Sequence, residues 1–273
     1  MRSIGTVIAL VAIALIPAEA GAKPVVVGSS LTGEFHRGFV RNAGTFFNSA
    51  LADPAANLVS PVDGLVVRFQ ILGGEGGPYR LRVLSPEGGS VYRATASTPP
   101  LTFGGAEPHF RPLKIEAGDT IGLDLPAEGK IAAAETGPES AYALWIPPLP
   151  ADTALPYSGT DTGLELGFNA EVLPVPTVTM VAPKVVYSRR GGRVKIFGKD
   201  FSRVTRVTFG TRRARGFKVV SERLIVATAP PRKNRLRTQV RVKTEAGTSA
   251  TSGRSTLLFA PCPHPKLPAK ICR

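Results

Sequence analysis

Three histidines and two cysteines carry the obvious potential for metal or nucleophile chemistry: His36, His109, His264, Cys262 and Cys272. No histidine stands at H-E-x-x-H spacing, and no G-x-S-x-G elbow occurs. Cys262, His264 and Cys272 fall close together, but a structural zinc site draws on two paired ligand motifs, which this stretch lacks. One disulfide, Cys262–Cys272, closing the C-terminal tail is the expectation for an exported chain. The run Gly73-Gly-Glu-Gly-Gly-Pro78 has the glycines of a phosphate cradle but neither the Lys-Ser/Thr nor a following helix pattern, and it reads as a hairpin loop. Asp119 and Asp124 are oxygen donors without the dense run of partners that a calcium loop needs; Asp119 is expected to bond its own turn backbone. No cofactor, metal site or catalytic residue is therefore expected.

The charged residues say more. The net charge is +14, yet residues 174–273 hold 23 Lys and Arg against three acids, Asp200, Glu222 and Glu245. The first 173 residues hold 11 bases and 17 acids. A cationic field of this size collects anionic partners, and it exceeds what solubility requires. The second half has few aromatics among its cations, so base-stacking recognition of single-stranded nucleic acid is disfavoured. The 17 acids leave room for a glycosidase pair, although carboxylates scattered singly through turns are ordinarily solvated. Tyr142, Trp145 and Tyr157 are the aromatics that a sugar-binding face would use; the competing expectation for Trp145 is core.

The elements that must position these residues are strands. Gly (29) and Pro (25) punctuate short alternating apolar runs, and no helical periodicity is found. In the first half, Gly64–Leu72 and Tyr79–Leu84 are strand-like, with Tyr79, Leu81 and Val83 alternating with Arg80 and Arg82. Leu113–Leu125 reads as two short strands paired across an Ala-Gly-Asp turn, and Ala141–Ile146 and Gly163–Ala170 complete a jelly-roll-like sandwich over residues 23–173. In the second half, Val194 and Ile196 alternate with Arg193 and Lys195, Val207 and Phe209 with Arg206 and Thr208, and Val240 and Val242 with Arg241 and Lys243. Five to seven such strands in about 85 residues predict an immunoglobulin-like sandwich over residues 174–260. Pro174 and Pro176 make a stiff link between the halves, and the tail 261–273 is proline-rich. The fold class is all-β.

Pro183, Gly191-Gly192, Val194, Ile196, Gly198, Phe201, Val207-x-Phe209-Gly210, Phe217, Pro230, Val240-x-Val242 and Gly247-x-Ser249 come in an order that resembles the IPT/TIG domains. That resemblance implies an immunoglobulin-like binding or spacer module. The loop Arg232–Arg237 is unusually basic for the pattern, and Pro231 doubles its proline. The first half is similar to exported β-sandwich domains of actinobacterial type, which implies a fold and no activity.

Residues 1–22 read as a cleaved export signal: Arg2, an apolar run Val7–Ile16, Pro17, then small residues at 18, 20 and 22. That run is too short to span a bilayer, and no stable membrane insertion is expected. The reading is an exported, non-enzymatic binding protein, secreted or associated with the cell wall. Its basic domain would hold an anionic polymer of the cell envelope or extracellular matrix. Arg189, Arg190, Arg193, Lys195, Arg206, Arg212, Arg213, Arg215, Arg241 and Lys243 are the candidate contacts. The alternatives are a glycan-binding or glycan-active jelly roll and a structural spacer or adhesion subunit.

Overall fold

The computed structural model describes residues 23–102, 111–187 and 189–261. The expected leader, His109, His264, the Cys262–Cys272 pair and the proline-rich tail lie outside the described residues. Every described strand pairs within one of two stretches, Val25–Pro174 or Thr177–Ala260.

The first stretch contains β1 (Val25–Gly28), β2 (Arg37–Val40), β3 (Gly44–Ala50), β4 (Gly64–Ile71), β5 (Arg80–Gly88), β6 (Val91–Ser97), β7 (Leu113–Ile115), β8 (Thr120–Leu125), β9 (Lys130–Trp145), β10 (Ala154–Pro156), β11 (Gly159–Leu166) and β12 (Phe168–Pro174). One sheet runs β1-β12-β4-β7 and the other β10-β6-β5-β8-β3-β9-β11, with β2 also on β9. Setting aside β2 and β9–β11, the chain alternates between sheets so that the first strand pairs with the last and the second with the next to last. That interleaving is a jelly roll. Its core joins Phe46, Tyr79, Leu81, Val83, Leu123, Phe168 and Val172 between the two sheets. At roughly 1.5–3 kcal/mol for each fully buried large side chain, this interior holds the sandwich shut.

Three sequence expectations change here. The Gly73–Pro78 run is not a hairpin loop, because β4 and β5 belong to different sheets. The Ala-Gly-Asp turn likewise does not join paired strands: β7 pairs with β4, whereas β8 pairs with β3 and β5. Both are crossings between layers, and a crossing uses the same Gly and Asp turn chemistry as a hairpin. Asp119 does bond the turn, its carboxylate accepting from Glu116 N–H at 2.9 Å. Finally, Ala141–Ile146 is no separate strand but the far half of the 16-residue β9, which with β11 extends the second sheet beyond the jelly-roll pattern.

The second stretch contains β13 (Thr177–Ala182), β14 (Val185–Tyr187), β15 (Gly192–Lys199), β16 (Arg206–Phe209), β17 (Arg212–Arg213), β18 (Gly216–Ser221), β19 (Leu224–Ala229), β20 (Leu236–Lys243) and β21 (Thr256–Ala260). The sheets are β13-β15-β19-β18 and β14-β21-β20-β16-β17, an immunoglobulin-like arrangement. The strands exceed the five to seven expected because edge pieces such as β14, three residues, and β17, two residues, are too short to show an alternating period. Val194, Ile196, Val207, Phe209, Ile225, Val240, Val242 and Phe259 fill the core. Two glycines around β15 act differently. Gly191, at φ +72°, makes the turn into the strand, where a Cβ is disfavoured. Gly198 lies within β15 and is required for close approach, since a Cβ there would meet the Thr177 carbonyl oxygen and the Phe201 ring. The passage between the sandwiches is anchored: Pro174 still pairs with Gly64, and Val175 N–H donates to Asp63 O at 2.9 Å.

Candidate cationic surface

Alternation within each strand decides where the cations point. In β15, Val194 and Ile196 are buried, so Arg193 and Lys195 stand on the outer face of the β13-β15-β19-β18 sheet. Lys218 lies in the same cross-strand row as Lys195, with Val226 between them. This face is mixed, because the half-buried Phe197 and the exposed Met180 occupy the next row.

The other outer face is different. In β20, Val240 and Val242 are buried, so Arg237, Gln239, Arg241 and Lys243 face outward. Arg206 of β16 stands directly opposite Lys243, and Thr208 stands between Arg241 and Arg213. Like charges directly opposed across two strands destabilise a sheet. Five cations thus share one face with the polar Thr208, Gln239 and Thr256, and Leu258 stands opposite Arg237. Successive outward positions on a strand are about 7 Å apart, so Lys243 and Arg241 form a row with Arg237 two steps beyond. The Arg241 Nε–H donates to Ser249 O at 3.0 Å, which holds one head in place.

No acid balances this face. The three acids of the domain lie outside its strands: Glu245, two residues beyond Lys243, pairs with Arg203 at 3.1 Å, and Asp200 and Glu222 lie near each other. Burial, the largest cause, raises the Asp200 pKa; Lys199 opposes that shift and Glu222 adds to it.

The remaining predicted cations are placed around the rim. Arg189 and Arg190 are in the turn between β14 and β15, and Arg190 with Arg193 borders a cleft of about 530 Å³ whose wall includes Pro183, Val185 and Tyr187. Arg215 is exposed at the start of β18, its N–H bonded to Thr228 O. Arg212 reaches from the edge strand β17 to the Pro231 carbonyl at 3.0 Å. The ten residues therefore do not share one face; Arg206, Arg213, Arg241 and Lys243 do. Sequence reasoning missed Arg237, which it placed in the basic loop. The signal was present, for Arg237, Gln239, Arg241 and Lys243 continue one period of two.

In the jelly roll, the aromatics considered for sugar binding are interior. Tyr142 is 1% and Trp145 3% exposed, and Tyr157 is half-buried against the same cluster. The Phe47 ring stacks on Trp145 at 5.4 Å, with Tyr92 edge-on to the indole. Phe47, Tyr92, Trp145 and Tyr157 form a second small core on the outer side of the larger sheet, and Tyr142 belongs to the main core. The buried carboxylates nearby are structural acceptors. Asp124 takes Arg82 Nη2 at 2.7 Å and Thr45 Oγ1 at 2.6 Å, and Glu165 takes Ala52 N–H at 2.9 Å. Among the described residues no group of three or more His, Cys, Asp or Glu could hold a metal ion, and no helix is long and apolar enough to cross a membrane.

A family model for the IPT/TIG domain matches residues 176–258. Residues 176–258 are thus an IPT/TIG domain, as their resemblance implied, and the cationic surface is a surface of that domain. No curated protein matches the chain.

Proposed function

We propose that this chain is an exported binding protein whose IPT/TIG domain holds an anionic polymer of the cell envelope or extracellular matrix on the outer face of β16, β17 and β20. One observation carries the reading: Arg206, Arg213, Arg237, Arg241 and Lys243 converge on one acid-free sheet face. Placing Arg206 against Lys243 costs stability, and a bound row of anions removes that cost. A repeat of cations along one strand suits a linear partner with regularly spaced charges, because each contact adds to the same binding event. The leader read from residues 1–22 supports a location where phosphate and carboxylate polymers are abundant.

The test compares faces. In one variant Arg206, Arg213, Arg237, Arg241 and Lys243 become Gln; in the other Arg193, Lys195, Lys199 and Lys218 do. Retention on an immobilised phosphodiester polymer and on polygalacturonate is then measured. The reading expects the first variant to lose retention and the second to keep most of it. Equal losses would mean that net charge alone acts, with no binding face.

A further inference from the structure

Where the turn after β16 meets the loop before β20 stands a pair of arginines that the sheet itself does not require. Arg212 follows the turn after β16 and Arg232 stands in the Pro230–Arg235 loop before β20, yet each reaches across to the other's segment. The Arg212 guanidinium donates to Pro231 O at 3.0 Å, and the Arg232 guanidinium donates to Phe209 O at 2.7 Å. The Arg232 head also lies over the Phe259 ring, with Cζ 5.6 Å from its centre. The two segments are thus clasped by two cations, each using a backbone carbonyl of the opposite segment.

Such a clasp brings like charges together in a partly desolvated place. Burial, and then the Arg212 charge, both lower the Arg232 pKa from the ordinary arginine value. Neither arginine takes part in an ion pair among the described residues, and Arg232 Nε is buried without a hydrogen-bond partner. A guanidinium has five N–H donors, so the clasp leaves most of them unused. Lys233 and Arg235 in the same exposed loop add to the positive potential.

We propose that the Arg212–Arg232 clasp is a binding site for one tetrahedral oxyanion of the phosphate class. A planar carboxylate is matched by a single guanidinium fork, whereas a phosphate group has oxygens to bridge two. The proposal rests on the polyanion reading above and deepens it: a phosphate-bearing polymer, rather than a polyuronate, is the partner that this domain selects. One phosphate group of that polymer docks in the clasp.

The probe is inorganic phosphate, titrated into the full chain at constant ionic strength, with acetate as control. The readout is the side-chain Nε–H resonance of Arg232. Phosphate is expected to shift it saturably, with at least tenfold tighter apparent binding than acetate. Arg212→Gln, at an exposed position, is expected to weaken phosphate binding tenfold or more while leaving the thermal midpoint in chloride unchanged. Arg232→Gln removes a group packed on the core, so Arg212→Gln is the deciding variant. Equal responses to phosphate and acetate, or an Arg212→Gln titration like that of the parent, would overturn the clasp as a site. Failure of the wider reading shows differently: the five-Gln face variant would keep its phosphate response, and polymer retention would not depend on the face.

Discussion

Salt dependence puts a magnitude on the cationic face. Consider Arg206→Gln with Lys243→Gln, which removes the directly opposed pair and leaves Arg213, Arg237 and Arg241. For a flexible single-stranded polyanion, log K falls by about 0.7 per neutralised charge for each tenfold rise in salt. Five contacts then give a slope of about −3.5, or roughly a 130-fold loss of affinity between about 50 and 200 mM salt. Three contacts give about −2.1, or roughly an 18-fold loss over the same range. A fluorescent thymidine oligonucleotide serves as a phosphodiester probe with little structure of its own, read by anisotropy across the salt series. The double variant should fold at least as well as the parent, because it relieves a cross-strand repulsion. Weaker binding therefore cannot be assigned to unfolding, which circular dichroism checks. A parental slope near zero, or the same slope in parent and variant, would refute the reasoning.

Asp124→Ala strands the Arg82 cation, whose side chain is only 8% exposed, and is expected to cost about 3–5 kcal/mol by urea unfolding. Arg82→Met with Asp124→Leu should cost much less, since no charge is left buried alone; equal losses would contradict this account. Gly198→Ala forces a Cβ against the Thr177 carbonyl oxygen and the Phe201 ring, and a loss of about 3 kcal/mol is expected in the IPT/TIG domain. An unchanged urea midpoint would show that the strands can separate freely there. Asp200→Asn should stabilise the chain at pH 7. The Asp200 pKa is raised in the fold, so its charged form is disfavoured there, and the parent gains stability as pH falls through that raised value towards 3.8. The advantage of the variant should accordingly shrink over that window, and a difference that does not change with pH would sink the assignment.

Alternation made the second sandwich legible. Val194 and Ile196, Val207 and Phe209, and Val240 and Val242 mark three strands because each buries one side only. The same rule put Tyr79, Leu81 and Val83 inside the first sandwich. What alternation does not encode is which sheet a strand joins. The turns at 73–78 and 116–119 have hairpin chemistry, but they join strands of different layers, because the pairing is chosen by distant partners such as Phe168 opposite Ile71. The cations suffered the same loss. Arg193 and Arg206 look alike in sequence, yet the sheet order sends them to opposite faces. The clasp was illegible for a further reason: Arg212 and Arg232 meet only because the turn after β16 and the loop before β20 end at the same corner.

The charge asymmetry between the halves gains a structural meaning from the ion pairs. In the jelly roll the bases are answered locally: Arg82 by Asp124, Arg68 by Glu171, Arg37 by Glu135, Arg93 by Glu87 and Lys130 by Glu75. Apart from the buried Arg82–Asp124 pair, these are exposed or half-exposed pairs that add little stability, but they cancel the field that each charge would send into solvent. In the IPT/TIG domain Arg203 has Glu245, and none of the face cations forms an ion pair among the described residues. Its potential is therefore projected outward. A partner that senses this field must approach the β16-β17-β20 face within about a Debye length, roughly 8 Å at physiological salt. Shifting acids into that face should therefore abolish capture more effectively than adding the same acids to the jelly roll. Glutamates at Thr208 and Gln239 make that comparison against two glutamates on the exposed surface of the first sandwich. Equal effects of the two placements would mean that total charge, and not its arrangement on this sheet, governs binding.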